Sequence, residues 1–104
     1  MPTNTLNGRS FLVNDEGFMT DRTQWSEELA RDMAELVEIE LTEQHMKALE
    51  WMRADAEKTG ATPTLRRMQV EGGFNIKELF QLFPGKTLKM MAWLAGLGKP
   101  VACV

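Results

Sequence analysis

The residue with the most chemical potential stands next to the end of the chain. Cys103, the only cysteine, lies within the closing stretch "GLGKPVACV". Free cysteines are usually buried and behave as small hydrophobes, but a position beyond Pro100 has little to bury it unless the tail docks. Counting from Gly96, seven residues extend to ~23 Å at about 3.3 Å each, enough to carry the sulfur from its own surface into another protein. Gly96 and Gly98 let such an arm bend, and Pro100 stiffens its tip. Lys99 favours the nucleophilic thiolate, whereas the terminal carboxylate opposes it. No base is visible in the arm, which argues for a thiol delivered to a partner's active site over a self-contained Cys–His enzyme. Composition alone leaves a reactive thiol and an incidental exposed one both open.

The other candidates are weaker. His45 is the only histidine and has no cysteine or second histidine near it in sequence, so a zinc ligand set is missing. It reads as a structural or solvent-facing residue in the first turn of a helix. The eight methionines fall mostly on apolar stripes and suit adaptable core filling better than a cofactor box. Trp25, Trp51 and Trp93 read as core or edge packing, with the option that one walls a groove for the arm. The segment "TPTLRRMQVEGGFNIKELFQLFPG" has the layout of a helix-turn-helix, with Arg66, Arg67 and Lys77 as phosphate contacts. Three cations are few for DNA, and the same geometry is a routine way to pack a core.

Several elements must position these residues. "RSFLVNDEGFMT" reads as a β-hairpin turning at Asn14-Asp15-Glu16-Gly17. Helical spacing of Leu29, Met33, Leu36 and Val37 predicts a helix starting near Trp25-Ser26 and ending around Glu38. Thr42 caps a second helix with the stripe Met46, Leu49, Met52 and Ala56, stopped by Gly60. Pro63-Thr64 opens a short third helix. Asn75 and Glu78 form a capping pair for a fourth, whose Ile76, Leu79, Phe80 and Phe83 face inward. Thr87 caps a last helix that ends at Gly96 or Gly98. The expectation is a mainly α fold: a compact orthogonal bundle of about five short helices with an N-terminal hairpin. Residues 1–98 form the domain, and residues 99–104 a flexible C-terminal arm.

The chain has 104 residues, 43% hydrophobic and 26% charged, an ordinary globular composition with enough length for one modest core. No apolar run approaches the ~20 residues of a membrane helix, and "MPTNTLNGRS" lacks the pattern of a signal peptide. A single cysteine fits a cytoplasmic setting. Net charge is −3, but the acidic side chains crowd the first half, and after Glu78 only Lys86, Lys89 and Lys99 carry charge. A basic second half can meet an acidic partner, an anionic small molecule or nucleic acid, or can simply neutralise the first half across the fold. No cofactor motif is read.

These residues resemble the DsrC/TusE family of sulfur carriers, which includes the gamma subunit of dissimilatory sulfite reductase. "DEGFMTDRTQWSEELA", "IELTEQHMKALEWMR", "TPTLRR" and "LFQLFPG" are similar to its successive segments, and "AGLGKPVACV" to its closing arm. The resemblance implies a compact helical domain whose arm carries sulfur on the penultimate cysteine as a persulfide or mixed disulfide. Cys103 is then the active thiol, and Gly96, Lys99 and Pro100 match the arm motif. Sulfite-reductase-type members have a second cysteine where this chain has Ala92, so a disulfide or trisulfide between two of its own cysteines is excluded here. The chain stands nearer the single-cysteine members, which relay sulfur for tRNA 2-thiouridine synthesis. It departs from the family at Gly98, Met46 and Lys86-Thr87, as a divergent paralogue would. The implied partners are a sulfur-relay donor and an acceptor enzyme, either a tRNA thiolase or a sulfite reductase. Lys99, with Lys86 and Lys89, is expected to help hold the anionic persulfide.

Overall fold

The computed structural model describes the backbone of residues 3–6 and 9–10, and residues 11–14 and 17–98 in full. The chain runs through β1 (Thr3–Leu6), β2 (Arg9–Leu12), a 3-10 turn (Arg22–Gln24) and α1 (Glu27–Leu36). It continues through α2 (Glu43–Thr59), α3 (Leu65–Val70), α4 (Ile76–Leu82) and α5 (Thr87–Leu94). The mainly helical fold with an N-terminal hairpin is the one expected.

The hairpin itself sits earlier than expected. β1 pairs antiparallel with β2, Thr3 opposite Leu12 and Leu6 opposite Arg9. In sequence these strands flank Asn7-Gly8, the dipeptide best suited to a two-residue hairpin connection. On either side of the expected turn, Gly17 N–H donates to the Asn14 carbonyl at 3.0 Å and Asn14 N–H to the Phe18 carbonyl at 2.8 Å; Asp15 and Glu16 lie outside the described residues. Beyond it there is a single bridge, Val13 to Met19, rather than a strand pair.

Capping residues place the helices. Ser26 Oγ accepts from Leu29 N–H at 3.1 Å, Thr64 Oγ1 from Arg67 N–H at 3.1 Å, and Asn75 Oδ1 from Lys77 N–H at 2.9 Å. Each satisfies a first-turn donor that would otherwise be orphaned. At the start of α2 the reciprocal partner is His45, in the position a Glu or Gln usually takes. Its Nδ1 accepts from Thr42 N–H at 3.1 Å, so Nε2 carries the proton and donates to the Leu82 carbonyl at 2.8 Å. The ring also meets Phe83 edge-on, with centroids 5.0 Å apart. His45 is therefore a buried clasp between α2 and the end of α4.

Three side chains differ from expectation. Leu36 is 59% exposed and Phe80 44% exposed, although both sit on apolar stripes. α1 ends at Leu36, where the chain turns through Glu38 at φ +59, so the last stripe position lies past the core edge. Helix α4 is only seven residues long and buries Leu79 alone; Phe83, just after it, is buried in the core. Thr87 does not cap α5 but begins it, and its buried hydroxyl donates to the Phe83 carbonyl at 2.6 Å. That bond closes the bend at Pro84-Gly85.

The core gathers Leu29, Met33, Leu49, Met52, Met68 and Met91 from different helices, all essentially inaccessible. The methionines do fill core space, as their unbranched side chains allow. α5 lies against α1 and α2 and delivers the end of the domain to one edge of this core.

Candidate functional site: the root of the C-terminal tail

The last residues of α5 lead to Gly98, where the described residues end. Helix α5 ends at Leu94 with Ala95 as its C-cap, and Gly96 takes the left-handed conformation at φ +71. Gly96 N–H donates to the Trp93 carbonyl at 3.2 Å and Leu97 N–H to the Ala92 carbonyl at 3.0 Å. This is the Schellman pairing, which needs a residue tolerant of positive φ at Gly96. A Cβ here would stand 2.7 Å from Trp25 Cδ1 and 3.0 Å from Trp25 Cβ, so no larger residue fits without a shift. The sequence-predicted Gly96 thus has two independent structural reasons for being glycine.

The remaining carbonyls are taken by side chains from elsewhere. Trp25 Nε1 donates to the Leu94 carbonyl at 2.8 Å, and Arg53 donates to the Ala95 carbonyl at 2.8 Å. Ala95 N–H reaches the Met91 carbonyl, so each carbonyl from Met91 to Ala95 has a partner. Helix ends buried without such partners are costly. Helix α5 has no basic residue of its own in its last turn, and Arg53 from α2 places a cation at that negative end.

Arg53 does more than pair one carbonyl. Its other terminal nitrogen donates to the Arg22 carbonyl at 2.9 Å, and its guanidinium stacks over the Trp25 ring at 4.3 Å. Burial, and after it the nearby Arg22 charge, lower the Arg53 pKa from its ordinary value, while Glu57 acts in the opposite direction. Two guanidinium groups are therefore held within electrostatic reach of each other at the tail root. Thr62 adds a further tie, its hydroxyl donating to the Gly98 carbonyl at 2.9 Å.

A groove of about 430 Å³ opens where the described residues end at Gly98. Its floor includes Met19, Ala56 and Leu97, all buried, and Arg22 is the one charged residue among the described residues lining it. A smaller groove of about 330 Å³ continues on the other side of Arg22, between Arg53 and Glu57. Lys86 and Lys89, expected to serve the tail, line a different groove with Phe18, Val37 and Trp93. The indole N–H of Trp93 donates to the Gly17 carbonyl at 3.1 Å, so this tryptophan pins the N-terminal turn.

Cys103, Lys99 and Pro100 lie outside the described residues, as does the whole arm expected at 99–104. Of the expected nucleic-acid contacts, Arg66 and Lys77 are exposed, on α3 and α4 respectively. Arg67 is engaged within the fold: it clasps Asp55 with two bonds, at 3.0 and 2.7 Å. That clasp holds the Asp55 carboxyl below its ordinary range, against the opposing effect of burial. Among the described residues no group of three or more His, Cys, Asp or Glu could hold a metal ion, and no helix is long and apolar enough to cross a membrane.

Arg53 and Arg22 carry no signal in the sequence, and Trp25 reads there as core or edge packing or as the wall of a groove for the arm. Arg53 meets Ala95 across 42 residues and Trp25 meets Leu94 across 69. No local spacing signals such bonds.

Taken together, fold and site define a small helical protein whose last helix and the residues after it are held at Leu94, Ala95 and Gly98 by Trp25, Arg53 and Thr62. The chain belongs to the family described as DsrC like protein, whose model matches residues 5–104. It is 32% identical to the gamma subunit of dissimilatory-type sulfite reductase of Nitratidesulfovibrio vulgaris, over 96% of each chain. It is 33% identical to the sulfurtransferase TusE of Pectobacterium atrosepticum, over 93% of this chain and 95% of that one. The solution structure of Allochromatium vinosum DsrC superposes with a TM-score of 0.81 at 31% identity, covering 98% of this chain and 97% of the other.

Proposed function

We propose that this protein is a sulfur-relay carrier whose working group is the Cys103 thiol. The observation that carries the reading is the anchored end of α5: the domain fixes the chain at Gly96–Gly98, five residues short of its only cysteine. A sulfurtransferase and a sulfite reductase subunit among its relatives support sulfur as the cargo.

In this reading the Cys103 thiolate attacks the outer sulfur of a donor persulfide. A new S–S bond forms on Cys103, the donor's S–S bond breaks, and the donor leaves as a thiolate, so no external oxidant or reductant is needed. With Ala92 where a second thiol would stand, the cargo stays on one sulfur until an acceptor takes it. Lys99, four residues before Cys103 in sequence, favours the anionic forms. The acceptor is a tRNA-thiolating enzyme or a sulfite reductase, and the protein acts in the cytoplasm. The domain as a whole, residues 1–98, serves to present residues 99–104.

Intact mass after exposure to a low-molecular-weight persulfide tests the proposal. Wild type should gain the mass of one sulfur atom and Cys103→Ser should gain none. No gain on wild type, or an equal gain on the serine variant, would remove the proposal. Co-purification from native lysate with tRNA-thiolation enzymes, or with sulfite reductase, decides between the acceptors. A DNA-reading role through α3 and α4 has no observation in its favour: the two helices are short, and Arg67 is held by Asp55.

A further inference from the structure

We propose that the groove at the tail root is the resting seat of the sulfur carried on Cys103, with Arg22 as its counter-charge. The inference rests on the carrier reading above and adds to it a place and a residue.

The groove begins where the tail begins. Gly98 forms part of its wall and is tied there through the Thr62 hydroxyl. From Gly98, five residues reach about 17 Å, ample for Cys103 to return to any part of the groove. The small residues Gly60 and Ala61 at the end of α2 leave room along that side.

The lining matches a persulfide anion in two respects. Such an anion is soft, polarisable and weakly hydrated, and the floor of Met19, Ala56 and Leu97 is apolar and includes a thioether. Among the described lining residues the one charged side chain is a guanidinium, the less strongly hydrated of the two biological cations and the better match to a diffuse anion. The surroundings also leave Arg22 available for it. The Asp21 carboxylate beside Arg22 in sequence is engaged by Thr23, through its N–H at 3.0 Å and its hydroxyl at 2.6 Å. Arg53, whose charge opposes that of Arg22, is committed to the Arg22 and Ala95 carbonyls. Glu57 sits on the Arg53 side, in the neighbouring groove. Among the described residues no carboxylate forms an ion pair with Arg22, so an anion in the tail-root groove can pair with it directly. Lys86 and Lys89 line another groove, in which the tail has no starting point.

The experiment compares how well the carried sulfur is shielded. Wild type, Arg22→Ala, Arg22→Lys and the double variant Lys86→Ala/Lys89→Ala are loaded with a low-molecular-weight persulfide and freed of donor. Iodoacetamide is then added and alkylation of the persulfide is followed by intact mass. Arg22 is exposed, and its carbonyl, which Arg53 uses, survives substitution, so the variants keep the fold. Arg22→Ala, once loaded, should be alkylated about three- to fivefold faster, the size of one exposed charge contact. Arg22→Lys should fall between, and the lysine pair variant should match wild type. Normal loading with equal rates in wild type and Arg22→Ala overturns the inference alone, as does faster alkylation of the lysine pair variant. Failure of wild type to load removes the carrier reading, and this inference with it.

Discussion

The indole N–H of Trp25 donates to the carbonyl of Leu94 at 2.8 Å, joining the entry of the first helix to the exit of the last. The same ring carries the Arg53 guanidinium on its face at 4.3 Å. Trp25→Phe keeps an aromatic surface but leaves the Leu94 carbonyl unpaired in a half-buried site. It should cost about 1–2 kcal/mol, read as a lower urea midpoint with an unchanged slope. In a double-mutant cycle with Arg53→Met the two losses should be non-additive, because the residues share one contact. Strict additivity would show that Trp25 and Arg53 act on the tail root separately.

Gly96 and Gly60 provide a matched comparison. Both have positive φ, +71 and +81, but a Cβ on Gly60 meets nothing within 4 Å whereas one on Gly96 meets Trp25 at 2.7 Å. Gly60→Ala should therefore cost only the conformational term, about 1 kcal/mol. Gly96→Ala adds displacement of the indole and should cost roughly 2–4 kcal/mol. The Gly96 variant should also change Trp25 fluorescence, which the Gly60 variant should leave alone. Equal losses of stability would mean that the indole moves aside freely.

Much of this fold is legible in the sequence because its determinants are local. Ser26, Thr42, Thr64 and Asn75 each precede a helix at the cap position, and Gly60 and Gly96 follow one. Apolar spacing locates the core stripe of α2 residue by residue. What is not legible depends on where an element stops against its neighbours. Leu36 and Phe80 continue apolar stripes past the edge of the core, and periodicity cannot see that edge. Apolar residues on either side of Asn14–Gly17 draw the expected strand pairing there, while the Asn7-Gly8 signal lies one element upstream. At the site, the closing motif points to the cysteine and Gly96, but the side chains that hold the tail root arrive from remote helices. His45 also hides its role, since a histidine in a capping pair has no spacing signature of its own.

The Asp55–Arg67 pair gives the fold an acid-sensitive link. Asp55 is buried, and the hydrogen bond from Arg67 lowers its pKa from 3.8. A depressed folded pKa contributes stability that is complete above the unfolded value and is lost as pH falls through the folded one. Wild type should therefore exceed Asp55→Asn in urea midpoint above pH 3.8, and the gap should close as acid titration proceeds below it. A gap that stays constant throughout the acid range would show that the carboxylate charge is not what Arg67 stabilises.

Ala92 makes the one-thiol limit testable. Its side chain is fully buried, and its carbonyl receives the Leu97 N–H that turns the chain out of α5. A cysteine introduced there would sit beneath the tail root rather than on the surface, and its added sulfur must find room in a packed site at a cost of roughly 1–3 kcal/mol. In native Ala92→Cys, maleimide should add once, at Cys103; in denaturant it should add twice. A second rapid native adduct would mean that the end of α5 opens readily, despite the bonds from Trp25 and Arg53. Thiol access at this position is thus a direct measure of how firmly the domain holds the start of its tail. Combining Ala92→Cys with Arg53→Met, which frees the Ala95 carbonyl, should speed labelling of the introduced thiol without changing that of Cys103.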